Sequence, residues 1–134
     1  MSTHAMGTLD VKTWDETPYD EIGGGAKLTR ASVTQSFHGD IEGAGAVEYL
    51  MMYPDARSAR FVGLQRVVGR IGDRAGSFVL QLGGTFEDGT VTATWSVVPG
   101  SGTDDLRGLR GDGTFAAPRG QSASVTLDYE IEMV

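Results

Sequence analysis

The stretch from Thr94 to Phe115 limits the possible folds more than any other part of the chain. Val91, Ala93, Trp95 and Val97 alternate with Thr92, Thr94, Ser96 and Val98, the period-two pattern of a strand with one apolar face. Pro99 has no N–H for a ladder, so that strand stops there. Gly100 and Gly102 permit a tight corner, and Thr103, Asp104 and Asp105 are suited to cap a single helical turn. Leu109, Gly111, Gly113 and Phe115 then share one face of a returning strand. Glycines on an inner sheet face let the sheet curl or another backbone approach, which suits a closing barrel better than a flat sheet.

The rest of the chain reads the same way. Residues 5–14 alternate as a first strand. Residues 15–26 are acidic, carry Pro18 and end in Gly23-Gly24-Gly25, the composition of a long mobile loop. A second strand over 27–37 puts Ala31, Val33, Gln35 and Phe37 inward. A third, over 41–53, is apolar on both faces, with Val47, Tyr49, Met51 and Tyr53 opposed by Leu50 and Met52. Such a strand is covered on both sides, and with no amphipathic helix to cover it a subunit interface is expected. In the fourth strand, 59–71, Arg60, Arg66 and Arg70 belong outside, so Gln65 points inward. The fifth runs over 77–86, and Glu87-Asp88-Gly89 makes a hairpin turn. Ala116 to Gly120 is a loop. A last strand sets Val125, Leu127, Tyr129 and Ile131 inward. Eight short strands with no amphipathic helix predict an all-β chain, an antiparallel up-and-down barrel or a sandwich.

Composition narrows the function classes. At 134 residues the chain is expected to form one domain, residues 1–134. A net charge of −7 argues against nucleic acid as a partner. The absence of cysteine removes thiolate chemistry and disulfides. No apolar run approaches the roughly 20 residues of a membrane span, and no signal peptide is evident, so a cytoplasmic protein is expected. His4 and His38 read as solvated polar residues. Two histidines offer neither a metal site nor a serine triad, and no cofactor is expected. Gly100-Ser101-Gly102-Thr103 lacks the lysine of a phosphate loop, and Asp104-Asp105 would repel phosphate.

The corner Gly100-Ser101-Gly102-Thr103, followed by Leu106, Gly108-Leu109 and Gly111, resembles the signature of an uncharacterised bacterial domain family with an allene oxide cyclase-like barrel. Further matching segments are Leu28–Val33, Gly39–Gly43, Glu48–Met51, Phe61–Leu64 and Gly76–Gln81, in order along nearly the whole chain. The resemblance decides for an eight-stranded antiparallel up-and-down barrel, related more loosely to the dirigent proteins. It implies a glycine where Asp104 stands, and a more polar residue, often histidine, where Leu82 stands.

The candidate site is therefore the barrel interior. Gln35, Tyr49, Tyr53, Gln65, Trp95 and Tyr129 are the candidates to line a cavity, because buried amides and phenols need partners in the protein or in a ligand. Trp14 is placed at the barrel mouth or beneath the 15–26 segment. The leading expectation is a homo-oligomeric barrel that binds a small apolar molecule. The resemblance implies an alternative, a cofactor-free isomerase or cyclase, with Glu48, Tyr49 and Gln65 orienting the substrate or moving a proton. Glu48 serves only if it faces inward; outward, it pairs with an arginine such as Arg66. A structural protein with a filled interior is the third reading.

Overall fold

The computed structural model describes residues 2–118 and 122–132. Eight strands run in chain order: β1 (Thr3–Gly23), β2 (Ala26–Gly39), β3 (Ile41–Asp55), β4 (Ser58–Ile71), β5 (Arg74–Glu87), β6 (Thr90–Val97), β7 (Leu109–Ala117) and β8 (Ala123–Ile131). Each pairs antiparallel with the next, and β1 pairs with β8, so the sheet closes into an up-and-down barrel. Closure satisfies the ladder that an open sheet would leave bare at its edges. Among the described residues, no helix is long and apolar enough to cross a membrane.

One large correction concerns residues 15–26. They are not a loop: β1 continues to Gly23 and pairs with β2 as far as Gly23↔Ala26. The register shifts between Val11 and Thr13, between Pro18 and Asp20, and between Glu21 and Gly23. These irregularities break the period-two signal that betrays a strand. Pro18 is tolerated because β8 pairs only with Thr3–Leu9, leaving one edge of the later part of β1 free of a ladder. The three glycines form the hairpin turn, each at positive φ (108°, 63° and 89°). β3 likewise runs past Pro54 to Asp55 rather than stopping before it.

The inner faces otherwise follow the alternation. Ala31, Val33, Gln35 and Phe37 are buried on β2, and Val47, Tyr49 and Met51 on β3. Arg60, Arg66 and Arg70 lie outside while Gln65 is 1% exposed. One end of the barrel, where β2 passes to β3 and β4 to β5, is packed solid by Phe37, Ile41, Val67, Ile71, Phe78, Leu80, Leu109 and Leu127.

The glycine corner helps to seal that end. After β6 the chain folds back along β5: the Thr103 N–H donates to the Ser77 carbonyl (2.9 Å), the Ser77 N–H donates to the Thr103 hydroxyl (3.0 Å), and the Val79 N–H donates to the Ser101 hydroxyl (3.0 Å). A Cβ at Gly76 would collide with the Thr103 carbonyl, so this approach requires glycine. The single 3₁₀ turn Asp104–Leu106 then sinks Leu106 to full burial. Thr103 occupies the N-cap position in extended geometry, but its hydroxyl serves Ser77 rather than the turn. Asp104, standing where the family pattern implies glycine, has φ of 54°, the left-handed conformation that glycine adopts without strain.

Candidate functional site

The opposite end of the barrel is hollow. A cavity of about 310 Å³ opens there, and its walls are mostly apolar: Leu9, Val11, Met51, Phe61, Phe86, Val91 and Phe115 among them. That volume is at the lower end of the range for small-molecule sites. The polar wall residues are Gln35, Tyr49, Tyr53 and Trp14.

The shift between Val11 and Thr13 builds one side of this chamber. Before it, the odd-numbered Leu9 and Val11 face the cavity; after it, Trp14 and Glu16 take the inner phase, opposite Val33 and Ala31 of β2. A bulge leaves one residue unpaired and turns every later side chain to the other face. Trp14 thus reaches the mouth, about half exposed, with its ring 5.9 Å from that of Tyr49. Phe61 meets Tyr49 edge-on, with ring centroids 5.2 Å apart.

Two polar clusters are set into the apolar wall. The inner one links Gln65, Gln35 and Tyr49. The Gln65 Nε2 donates to the Gln35 Oε1, and the Gln35 amide hydrogen-bonds the Tyr49 hydroxyl. Gly45 makes the room: a Cβ there would lie 2.8 Å from the Phe37 ring and 2.9 Å from the Gln65 Nε2. Burial pushes the Tyr49 hydroxyl up to about 12, against a smaller lowering by Gln35. Tyr49 is therefore a neutral hydrogen-bond donor at any ordinary pH.

The outer cluster is centred on Glu16. Its carboxylate accepts from the Thr29 hydroxyl (2.6 Å), the Tyr53 hydroxyl (2.7 Å) and the Trp14 Nε1 (2.9 Å). Burial raises this carboxyl, but the three hydrogen bonds and the charge of Lys27 together outweigh it and hold the group below the usual carboxylate range. Burial, then the bond to Glu16 and its charge, pushes the Tyr53 hydroxyl well above the ordinary phenol value. Lys27 places its Nζ 5.1 Å above the Tyr53 ring. Beyond this cluster lies a polar vestibule lined by Glu16, Glu21, Lys27, Thr29, Tyr53 and Asp55.

Of the residues singled out from the sequence, Gln35, Tyr49 and Tyr53 lie on the cavity wall, and Gln65 stands directly behind Gln35. Trp95 lies outside the lining. Its indole packs on Phe115 (5.2 Å) and donates to the Thr126 carbonyl (2.9 Å), over Gly113, which has no side chain to block it. Tyr129 also lies outside it, towards the packed end, where its hydroxyl approaches Gly72. Glu48 is on the exterior, because β3 turns Tyr49 inward and its neighbours out. It pairs with Arg30 (2.8 Å), not Arg66, and accepts from Ser32 (2.9 Å); those two contacts lower its pKa. Glu48 therefore has no contact with the cavity. Leu82, where the family pattern implies a polar residue, is 4% exposed and keeps its part of the interior apolar.

Sequence reasoning missed Glu16 altogether. Read in phase with Leu9 and Val11 it falls on the outside, and only the shift before Thr13 brings it in. His4 and His38 are exposed on the barrel exterior, the first 2.5 Å from an Asp128 oxygen and the second 3.7 Å from Asp10. Among the described residues, no group of three or more histidines or carboxylates is placed to hold a metal ion.

No curated protein matches the chain. A solved structure described as a protein with unknown function from the DUF3224 family of Shewanella oneidensis MR-1 superposes with a TM-score of 0.79 at 30% identity, covering 99% of this chain and 100% of that one. The sequence model described as "Protein of unknown function (DUF3224)" matches residues 5–129. With the barrel, the glycine corner and the order of matching segments all in agreement, the chain belongs to the DUF3224 family.

Proposed function

We propose that this protein binds a small, largely apolar molecule in the open half of its barrel. The observation that carries this reading is the contrast between the two ends. One is packed by large side chains and plugged by Leu106, while the other holds a chamber of about 310 Å³ whose wall is almost wholly apolar. An eight-stranded barrel is wide enough for a single small guest. Native mass spectrometry of the protein expressed in a bacterium tests it. A retained small apolar molecule, lost when Ala117→Phe fills the cavity in a folded variant, is the expected result. A ligand-free spectrum, with no apolar probe able to bind, would leave the filled structural barrel as the better reading.

A second reading, a cofactor-independent isomerase or cyclase, draws on the chain of Gln65, Gln35 and Tyr49, which could orient a reacting group against a fixed donor. Turnover of the retained molecule by wild type and not by Tyr49→Phe would support it.

We also propose that copies of the chain associate through the outer faces of β3 and β4. Leu50, Val62, Leu64 and Val68 are each about half exposed there, and Leu50 pairs with Val62 across the two strands. Glu42 and Glu48 on β3 lie beside Arg66 and Arg70 on β4, so the patch carries both charges and can complement itself.

A further inference from the structure

We propose that the ligand carries one uncharged hydrogen-bond acceptor, such as a ketone, ester or ether oxygen, which the Tyr49 hydroxyl holds at the inner polar spot of an otherwise apolar chamber. This rests on the reading that the cavity is a binding site, and it names the class of molecule.

The hydrogen bonds set the polarity of the spot. The Gln35 contact lowers the Tyr49 pKa, as an amide N–H donating to the phenol oxygen does, so Gln35 meets Tyr49 with its NH₂ group while its Oε1 accepts from Gln65. A phenol that accepts a hydrogen bond still has its own proton to give. Elsewhere on the wall the Tyr53 hydroxyl is committed to Glu16 at 2.7 Å and the Trp14 Nε1 to Glu16 at 2.9 Å, which leaves the Tyr49 hydroxyl and the second N–H of Gln35, both at the inner cluster. What a guest meets at the inner cluster is a donor, 5% exposed and fixed by the two glutamines behind it. A hydrocarbon would leave that donor without a partner, whereas an acceptor would satisfy it.

Charge removes the most obvious acceptor. Among the described residues, no cation lines the cavity. A carboxylate placed against Tyr49 would be desolvated among Met51, Phe61 and Phe115 with no opposite charge to compensate. The neighbouring vestibule is also acidic on balance, Glu16, Glu21 and Asp55 outnumbering Lys27. The high pKa of Tyr49 keeps the phenol a donor throughout the physiological range. A neutral oxygen on an apolar skeleton is the remaining fit.

Three probes of one skeleton test this: butylbenzene, butyrophenone and phenylbutanoate. Binding is read by NMR from the indole N–H of Trp14, which lines the cavity, with the buried Trp95 indole as the internal control. The expected result is that butyrophenone binds about tenfold more tightly than butylbenzene, that phenylbutanoate is weakest, and that Tyr49→Phe removes the ketone's advantage. Equal affinity for ketone and hydrocarbon, an advantage that survives Tyr49→Phe, or tightest binding of the carboxylate would overturn the inference while leaving the cavity a binding site. If none of the three moves the Trp14 resonance, the binding reading fails with it. Should Tyr49→Phe not fold, the wild-type ratio of ketone to hydrocarbon decides alone.

Discussion

Gln65 on β4 donates its side-chain amide to Gln35 on β2, although these strands never pair; the contact passes over the bare backbone of Gly45 on the strand between them. Two buried amides therefore depend on a missing side chain. Gly45→Ala is expected to push the Gln65 amide off Gln35 and cost about 1–3 kcal/mol. Denaturant melts check this. In a Gln65→Ala background the same change should cost less, because only the contact with the Phe37 ring at 2.8 Å is left. Equal costs in the two backgrounds would show that Gly45 serves some other purpose.

Glu16 links stability to acid. Its folded pKa lies below the ordinary 4.5, so the stability it contributes is fully present above that value and is lost as pH falls through the folded value. Glu16→Gln should destabilise the protein at neutral pH. The gap between the two melting curves should close in strong acid, where wild type carries a neutral carboxyl as well. A gap that persists unchanged at low pH would mean that the variant acts through packing.

Tyr49 gives the opposite sign. Its folded pKa of about 12 exceeds the ordinary 10.0, so its contribution is intact below pH 10 and fades as pH climbs towards the folded value. Near-ultraviolet titration of the folded protein should show a late tyrosinate step that Tyr49→Phe diminishes. Ionisation of all the tyrosines together at the ordinary value would contradict the buried, neutral phenol.

These residues also mark where the sequence was legible. Gln35, Tyr49 and Gln65 lie on strands that alternate without interruption, and their inward phase follows from the apolar and arginine-bearing neighbours alone. Glu48 follows with them, facing out because Tyr49 faces in. Glu16 was not legible in this way, although Trp14 beside it was expected at the mouth. A bulge carries no reliable residue signature, and here it sits in a segment whose acid, proline and glycine content imitates a loop. The polar mouth was therefore hidden, while the barrel and its inner cluster were not. The glycines of the corner were readable as sites of close approach; that Thr103 would serve β5 rather than cap the turn was a matter of tertiary contact.

Asp104 is a position where substitution should help. Its φ of 54° costs an L-residue energy that glycine does not incur, offset in part by glycine's greater freedom when unfolded. Asp104→Gly should raise stability by about 0.5–1 kcal/mol, read from the midpoint of thermal or denaturant unfolding. A loss would show that the aspartate contributes more to the turn than its backbone costs.

On the outer face, Val62→Glu combined with Leu64→Glu should shift the particle to the mass of a single chain in sedimentation velocity and leave the far-ultraviolet spectrum unchanged. Wild type already sedimenting as one chain would remove the association proposed for this face.

The seam between β1 and β8 has a consequence for how the chain reaches this state. Thr3 through Leu9 find their second partner only in Leu127 and its neighbours, the last strand to be made. Until β8 arrives, the other seven strands can form hairpins in sequence but cannot become a ring, and the early edge of β1 stays unsatisfied. Closure is thus a contact between the most distant parts of the chain, which carries the largest entropic cost of any pairing here and slows the final step. During synthesis the nascent sheet presents an open ladder to its surroundings, so crowding by other unfinished copies favours strand exchange between chains over completion of one ring.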